Sequence, residues 1–286
     1  MPRPLRPWRA PPPARCLTVV VPVYNEAATI LEVLRRVTES PVVGEIIVVD
    51  DGSSDGTPEL LERQSGGRCR VILLRRNAGK GAAARTGFSA CRGPVVIVQD
   101  ADLEYDPSQL ARLVEPIRQG RAEAVYGSRF VRRGWGRNWI HTLGNRALTF
   151  WSNLFTRRHL TDVFTCYKAL RVDVLPRLRL TRNRFDFEVE LTAQLAGLKL
   201  RIREVPVDYA PRRRSEGKKI GWGDAVEALV TTVRAALFPP GPRVHVRMPE
   251  RIEFVLPPRP AEGGSAARFR ESVDRAETAP LRRPEG

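Results

Sequence analysis

The chain has 286 residues, 42% of them apolar, and a formal charge of +16 from 48 basic and 32 acidic side chains. A sizeable core is available, and the charge implies an anionic partner: nucleic acid, a membrane surface or phosphorylated substrates. No stretch reaches the ~18 apolar residues of a transmembrane helix, and Cys16, Cys69, Cys91 and Cys166 show no CxxC spacing and no histidine pair nearby, which reads as separate reduced thiols of a cytosolic protein.

Residues 1–15 carry six prolines and four arginines and no apolar core of a signal peptide. Proline fixes φ and removes a donor, so this reads as a disordered basic arm. A strand is expected over 17–23, ending in Pro22-Val23-Tyr24-Asn25-Glu26, then a helix over 27–38 with Ile30, Leu31, Leu34 and Val37 at helical spacing. A second strand over 45–49 closes on Asp50-Asp51-Gly52-Ser53-Ser54-Asp55-Gly56-Thr57. Thr57 is the expected N-cap of the next helix, with Pro58 at its first position. A third strand over 71–74 precedes Asn77-Ala78-Gly79-Lys80-Gly81 and a helix over 82–91. The Gly79–Gly81 loop lacks the P-loop spacing and the GxGxxG pattern.

The run Val95, Val96, Ile97, Val98 then ends on three carboxylates, Asp100, Asp102 and Glu104. A buried strand opening onto a polar cluster is how ligand sites form in open α/β sheets, and acid-x-acid there suits a hard divalent cation shared with substrate phosphates. A helix from Pro107 and a strand over 124–126 follow, the latter ended by Gly127-Ser128-Arg129. Strands alternating with helices imply βαβ units in a mostly parallel sheet, with the polar strand ends on one edge. Charge is segregated: from Arg129 to Arg184 there are thirteen Lys/Arg and two acids, Asp162 and Asp173.

The second half is less regular. Trp139, Leu143, Ala147, Phe150, Trp151, Leu154 and Phe155 recur at helical spacing over 137–155. This amphipathic helix fits either a core or a membrane interface. A short strand-like run lies within 160–171, followed by a helix over 185–196 presenting Glu188 and a strand over 201–209. A cation-rich loop over 212–219 leads into a second amphipathic helix over 222–237. The expected organisation is an arm over 1–15, one domain over 16–238 and a mostly disordered tail over 239–286, of which only 244–256 has the composition to fold back.

PVYNE (22–26), VVDDGSSDGT (48–57), NAGKGAAARTG (77–87), QDADLEYDP (99–107) and GSR (127–129) stand in the order of glycosyltransferase family 2, which the chain resembles over residues 17–237. LTDVFTCYK and the Arg…Gly…Lys-Lys loop are similar to elements of its polyprenyl-phosphate (dolichyl-phosphate) sugar synthases, although TCYK and GKK depart from their usual forms. The resemblance implies an α/β GT-A fold, Rossmann-like and mostly parallel, with amphipathic interface helices and disordered termini. It implies that Pro22, Tyr24, Glu26 and Asp50 hold the base and ribose of a nucleotide-sugar, with Lys80 and Ala101 also in the substrate-binding set. Asp51 and Asp55 are expected to hold the turn instead. Asp100 and Asp102 become the DxD pair for Mg²⁺ or Mn²⁺, with Glu104 completing the metal shell.

The implied acceptor is a polyprenyl phosphate. A phosphate monoester, with a second pKa near ~6, needs cations rather than a base; Arg129, Arg212, Lys218 and Lys219 are the expected cations, with Arg213 as an alternative register. Asp162 is expected to orient the acceptor, serve as a base or support the fold. The expected activity is inverting transfer of a hexose from a GDP- or UDP-sugar to lipid phosphate by a cytoplasmic protein, peripheral on the inner membrane face, as an oligomer or with a membrane partner. The alternative acceptor is a saccharide hydroxyl, with Asp162 or Glu188 as base. Nucleic acid is not an expected partner, because acids at the strand ends repel a duplex.

Overall fold

The structure, a computed structural model, describes residues 12–131, 139–212, 230–231 and 254–255. One mixed sheet organises them. Its first strands are β1 (Leu17–Val23), β2 (Val43–Asp50), β3 (Cys69–Leu73) and β4 (Val95–Val98). They are followed by β5 (Ala124–Ser128), β6 (Lys168–Arg171), β7 (Ile202–Pro206) and the two-residue β8 (Phe254–Val255). The order across the sheet is β7-β5-β6-β4-β1-β2-β3-β8. β1 pairs in parallel with β2 and β4, β2 with β3, and β5 with β7. β6 is antiparallel to β4 and β5, and β8 is antiparallel to β3. β8 falls inside 244–256, the stretch expected to fold back.

β1 and β4 are buried along their whole length, as strands covered on both faces must be. The helices are α1 (Ile30–Glu39), α2 (Thr57–Glu62), α3 (Lys80–Ala90), α4 (Leu110–Arg118), α5 (Trp139–Thr156) and α6 (Phe187–Gly197). α1 buries Ile30, Val33, Leu34 and Val37; Leu31, expected on that face, is instead exposed. Thr57 is the first residue of α2 rather than its cap. Gly56 precedes it in the left-handed region (φ 85°), and the Thr57 hydroxyl donates to Asp55 at 2.6 Å and accepts from the Glu26 amide at 3.1 Å. The helix expected from Pro107 opens as a 3-10 turn over Pro107–Gln109, where the Asp106 side chain accepts from the Ser108 amide.

Because β1, β2, β4 and β5 run in one direction, their carboxyl ends form one edge, as the alternating pattern predicts. β6 runs the other way, so its first residue, Lys168, lands at that same edge opposite Tyr126. No described helix is long and apolar enough to cross a membrane. The four cysteines are unpaired, and burial pushes every thiol up, Cys69 to about 11 and Cys91 to about 12, so they stay protonated and unreactive.

Candidate active site at the carboxyl edge of the sheet

The loops after β1 and β2 are zipped together. The Asn25 amide donates to Ser53 Oγ at 2.8 Å, Asn25 Oδ1 accepts from the Ser54 amide at 2.8 Å, and Asp55 accepts from the Ala27 amide at 3.1 Å. Asn25 itself sits at φ 54°, a region asparagine tolerates. Asp51 accepts from the Ala78 and Gly79 amides at 2.8 and 2.7 Å. Asp51 and Asp55 thus hold turns, as expected. Asp50 is buried, accepts from Ser53, and is held above the usual carboxylate range by that burial. Pro22 closes β1 beside it, paired with Val49, and Tyr24 is half-buried on the same loop.

The loop before α3 is no phosphate cradle. The Gly81 and Ala82 amides are spent on the Asn183 carbonyl, at 2.7 and 3.3 Å. Gly79 has φ 99°, and a Cβ there would run into that same carbonyl, so only glycine fits.

β4 delivers Asp100 and Asp102, with Ala101 buried between them. Leu103 follows at φ 61°, a left-handed conformation costing roughly 1–2 kcal/mol for a residue with a Cβ. That turn lets Asp102 Oδ1 accept from the Glu104 amide at 3.0 Å. Burial, then Asp100, then Glu104, push the Asp102 carboxyl up to about 7. The crowded carboxylates make a set of hard oxygen donors whose negative charge Lys80 offsets only in part, which fits Mg²⁺ or Mn²⁺. Among the described residues no group of three His, Cys, Asp or Glu converges to hold a metal unaided. A cation held by Asp100 and Asp102 needs further oxygens from a substrate.

Glu104, expected to complete the metal shell, is held by the segment after β7. Its carboxylate accepts from the Tyr209 hydroxyl at 2.6 Å and from the Arg212 amide at 2.8 Å. Glu26, expected on the nucleotide, is gripped by the Arg212 guanidinium at 2.8 and 3.1 Å and accepts from the Thr29 hydroxyl at 2.9 Å. Arg212 also donates to the Asp102 carbonyl at 2.9 Å. The segment after β7 thus lies across the acidic loop, with the Arg212 guanidinium on Glu26. Lys218 and Lys219 lie outside the described residues.

Arg129 leaves the end of β5. Its Nε and Nη2 donate to Asp162 at 2.6 and 2.7 Å, and its backbone amide donates to the same carboxylate. The guanidinium carbon lies 5.0 Å from the centre of the Tyr209 ring. Asp162 is fully buried, and both its oxygens accept from Arg129, so it holds that cation in place.

Sequence reading missed a partly buried row of alternating charge. Asp100 Oδ1 lies 2.8 Å from Lys80 Nζ, which lies 3.3 Å from Glu188 Oε1, while Glu188 Oε2 pairs with Lys168. Burial alone pulls the Lys80 pKa down, and the Asp100 and Glu188 carboxylates more than offset it. The four residues come from four elements, and the antiparallel placement of β6 that brings Lys168 in has no local signal.

A mostly parallel sheet with an acid-x-acid loop at its carboxyl edge and a second, mixed half is the GT-A class of fold. Glucosyl-3-phosphoglycerate synthase from Mycobacterium tuberculosis, solved with Mn²⁺, uridine diphosphate and phosphoglyceric acid, shares it: TM-score 0.61, 79% of this chain and 80% of that one, 21% identity. Residues 18–179 match Glycosyl transferase family 2, and the chain belongs to that family, a family of sugar-transferring enzymes. It is 34% identical over 235 residues to undecaprenyl-phosphate mannosyltransferase of Micrococcus luteus, covering 78% of this chain and 94% of that protein. It is 35% identical over 225 residues to undecaprenyl-phosphate 4-deoxy-4-formamido-L-arabinose transferase of Pseudomonas fluorescens, covering 73% of this chain and 61% of that protein, so it spans about three fifths of that relative's length.

Proposed function

We propose that the protein transfers one hexose, with inversion, from a nucleotide-sugar to the phosphate of a polyprenyl carrier, at the inner face of a membrane. A phosphate oxygen attacks the anomeric carbon, the bond from that carbon to the donor diphosphate breaks, and the nucleoside diphosphate departs with the electron pair. The observation that supports this reading is the acceptor side itself, which among the described residues offers a fixed cation and no carboxylate without a cation beside it. Arg129 is held by Asp162 with Nη1 left over, and Glu188 is flanked by Lys80 and Lys168. A sugar hydroxyl needs a base, whereas a phosphate dianion needs docking. The names of the two relatives point the same way.

On the donor side, Asp50, Tyr24 and Pro22 line the base and ribose, and Lys80 and Ala101 flank the diphosphate. Asp100 and Asp102 hold Mg²⁺ or Mn²⁺; when bound, the cation neutralises charge on the leaving diphosphate.

The test supplies purified protein with Mn²⁺, a panel of labelled nucleotide-sugars and short-chain polyprenyl phosphate in detergent. Label is expected in a mild-acid-labile lipid fraction. Arg129→Ala is expected to lower kcat/KM by at least about 100-fold, with partial recovery in Arg129→Lys. Metal-dependent release of nucleotide without lipid labelling would sink the phosphate acceptor.

A further inference from the structure

β7 supplies one carboxylate, Glu204, which stands opposite Tyr126 in the parallel pairing with β5. Three donors converge on it, all from the turn before β6. The Thr161 amide reaches Oε1 and Oε2 at 2.8 and 2.9 Å, the Thr161 hydroxyl donates to Oε1 at 2.9 Å, and the Asp162 amide donates to Oε1 at 3.1 Å. An ionised carboxylate only accepts, so it takes all three donors at once; a carboxamide in its place would turn an N–H₂ group onto some of them. Glu204 and Asp162 are 42 positions apart, and no spacing in the sequence announces the contact.

The network continues to Arg129. The Thr161 hydroxyl has one proton and gives it to Glu204, so the Ser128 hydroxyl, 2.6 Å away, donates to Thr161 Oγ1. Ser128 Oγ in turn accepts from the Phe130 amide at 3.1 Å. Ser128 and Phe130 flank Arg129 in the chain, and the Ser128 carbonyl accepts from the Val207 amide, just past β7, at 3.0 Å. Asp162, whose amide Glu204 holds, accepts from the Arg129 amide and from two of its guanidinium nitrogens. Arg129 is thus gripped through its backbone and its side chain by one network, and Glu204 is the acceptor on which that network ends.

We propose that Glu204 is a positioning residue for the acceptor phosphate: it fixes the turn at Thr161 and Asp162 and, through Asp162 and Ser128, the place and direction of the Arg129 guanidinium. The inference rests on the lipid-phosphate reading above and deepens it by naming what holds the docking cation still. A free arginine side chain has many rotamers, and its planar fork meets a phosphate well in few of them. A guanidinium already held in one orientation gives up less freedom on binding and docks the anion more tightly. The Glu204 oxygens are filled by the turn, so its loss reaches the reaction through acceptor affinity and not through the chemical step.

The experiment measures kcat and KM for short-chain polyprenyl phosphate in the Mn²⁺ transfer assay on the full chain, with a thermal melt of every variant. Glu204→Gln is expected to raise the acceptor KM at least about tenfold, with kcat and the donor KM near wild type. In an Arg129→Ala background the same substitution is expected to change the acceptor KM by less than about twofold, because the group through which it acts is gone. Thr161→Val removes only the hydroxyl shared by Glu204 and Ser128; it is expected to raise the acceptor KM about threefold and decides the matter if Glu204→Gln does not fold. Glu123→Gln loosens the Arg201 contact at the other end of the same strand pair; it is expected to lower the melting temperature and leave the acceptor KM at the wild-type value. A wild-type acceptor KM in both Glu204→Gln and Thr161→Val, or a rise that persists in full in the Arg129→Ala background, overturns the Glu204 assignment alone. Wild type that puts no label into lipid removes the lipid-phosphate reading, and this assignment with it.

Discussion

Asp102 is the residue at which charge and chemistry meet. Its carboxyl lies near 7 through burial and the neighbouring Asp100 and Glu104, against about 3.9 for an unperturbed aspartate. The folded state therefore holds a proton that the unfolded chain releases between about pH 4 and 7. This group's contribution to the stability of the metal-free protein is present at low pH and is lost as pH rises through 7. Metal binding runs the other way, because the carboxylate must be free. Mn²⁺ affinity is expected to be about tenfold weaker at pH 6 than at pH 8, measured by titration calorimetry, and equal affinities would contradict the Asp102 assignment. Asp102→Asn, folded normally, is expected to lose metal-dependent transfer by at least about 100-fold. Asp162→Asn acts through Arg129: it weakens a buried pair, a change worth roughly 3–5 kcal/mol when such a pair is broken outright. It is expected to lower the melting temperature and raise KM for the acceptor phosphate together. A pure loss of kcat at unchanged KM is the signature of a base and would reverse that assignment.

At the scale of elements, α5 and the segment after it work as a unit. Asn153 clamps both backbone groups of Leu160. Asn153→Ala is expected to cost about 1–3 kcal/mol and to show in a thermal melt as a drop of several degrees. The α3 entry is similarly closed: Gly79→Ala forces a side chain onto the Asn183 carbonyl from a positive φ, and a comparable destabilisation is expected. The helical spacing of α5 is visible in its sequence, but its orientation is not. Trp151 and Phe155 were grouped with Leu143, Phe150 and Leu154, and in the structure they turn aside, half-buried, with ring centres 4.9 Å apart. Periodicity locates a stripe; only the neighbours of a helix determine which stripe faces inward.

Across the whole molecule, the segregation of charge seen in the sequence becomes a segregation of surfaces. Acids collect at the carboxyl edge of the parallel strands, while Arg146 lies on α5 and Arg157 and Arg158 follow it. With a net charge of +16, affinity for anionic vesicles is expected to fall as ionic strength rises past about 0.15 M, measured by co-sedimentation; salt-independent binding would remove the cations from any membrane contact.

The sequence alone determined the alternation of strands and helices and the acidic strand end at Asp100 and Asp102. Those features are local: each rests on hydrophobic period, a proline or glycine, or carboxylates adjacent in the chain. Tertiary structure alone decided the partners of residues that meet across the chain. Glu26 pairs with Arg212, 186 positions away, Glu104 accepts from Tyr209 and Arg212, and Asp162 fixes Arg129. Lys168 enters the site because β6 runs antiparallel between β4 and β5. Strand direction and long-range charge pairing are set by which surfaces the whole chain buries together, and no window of neighbouring residues carries that information.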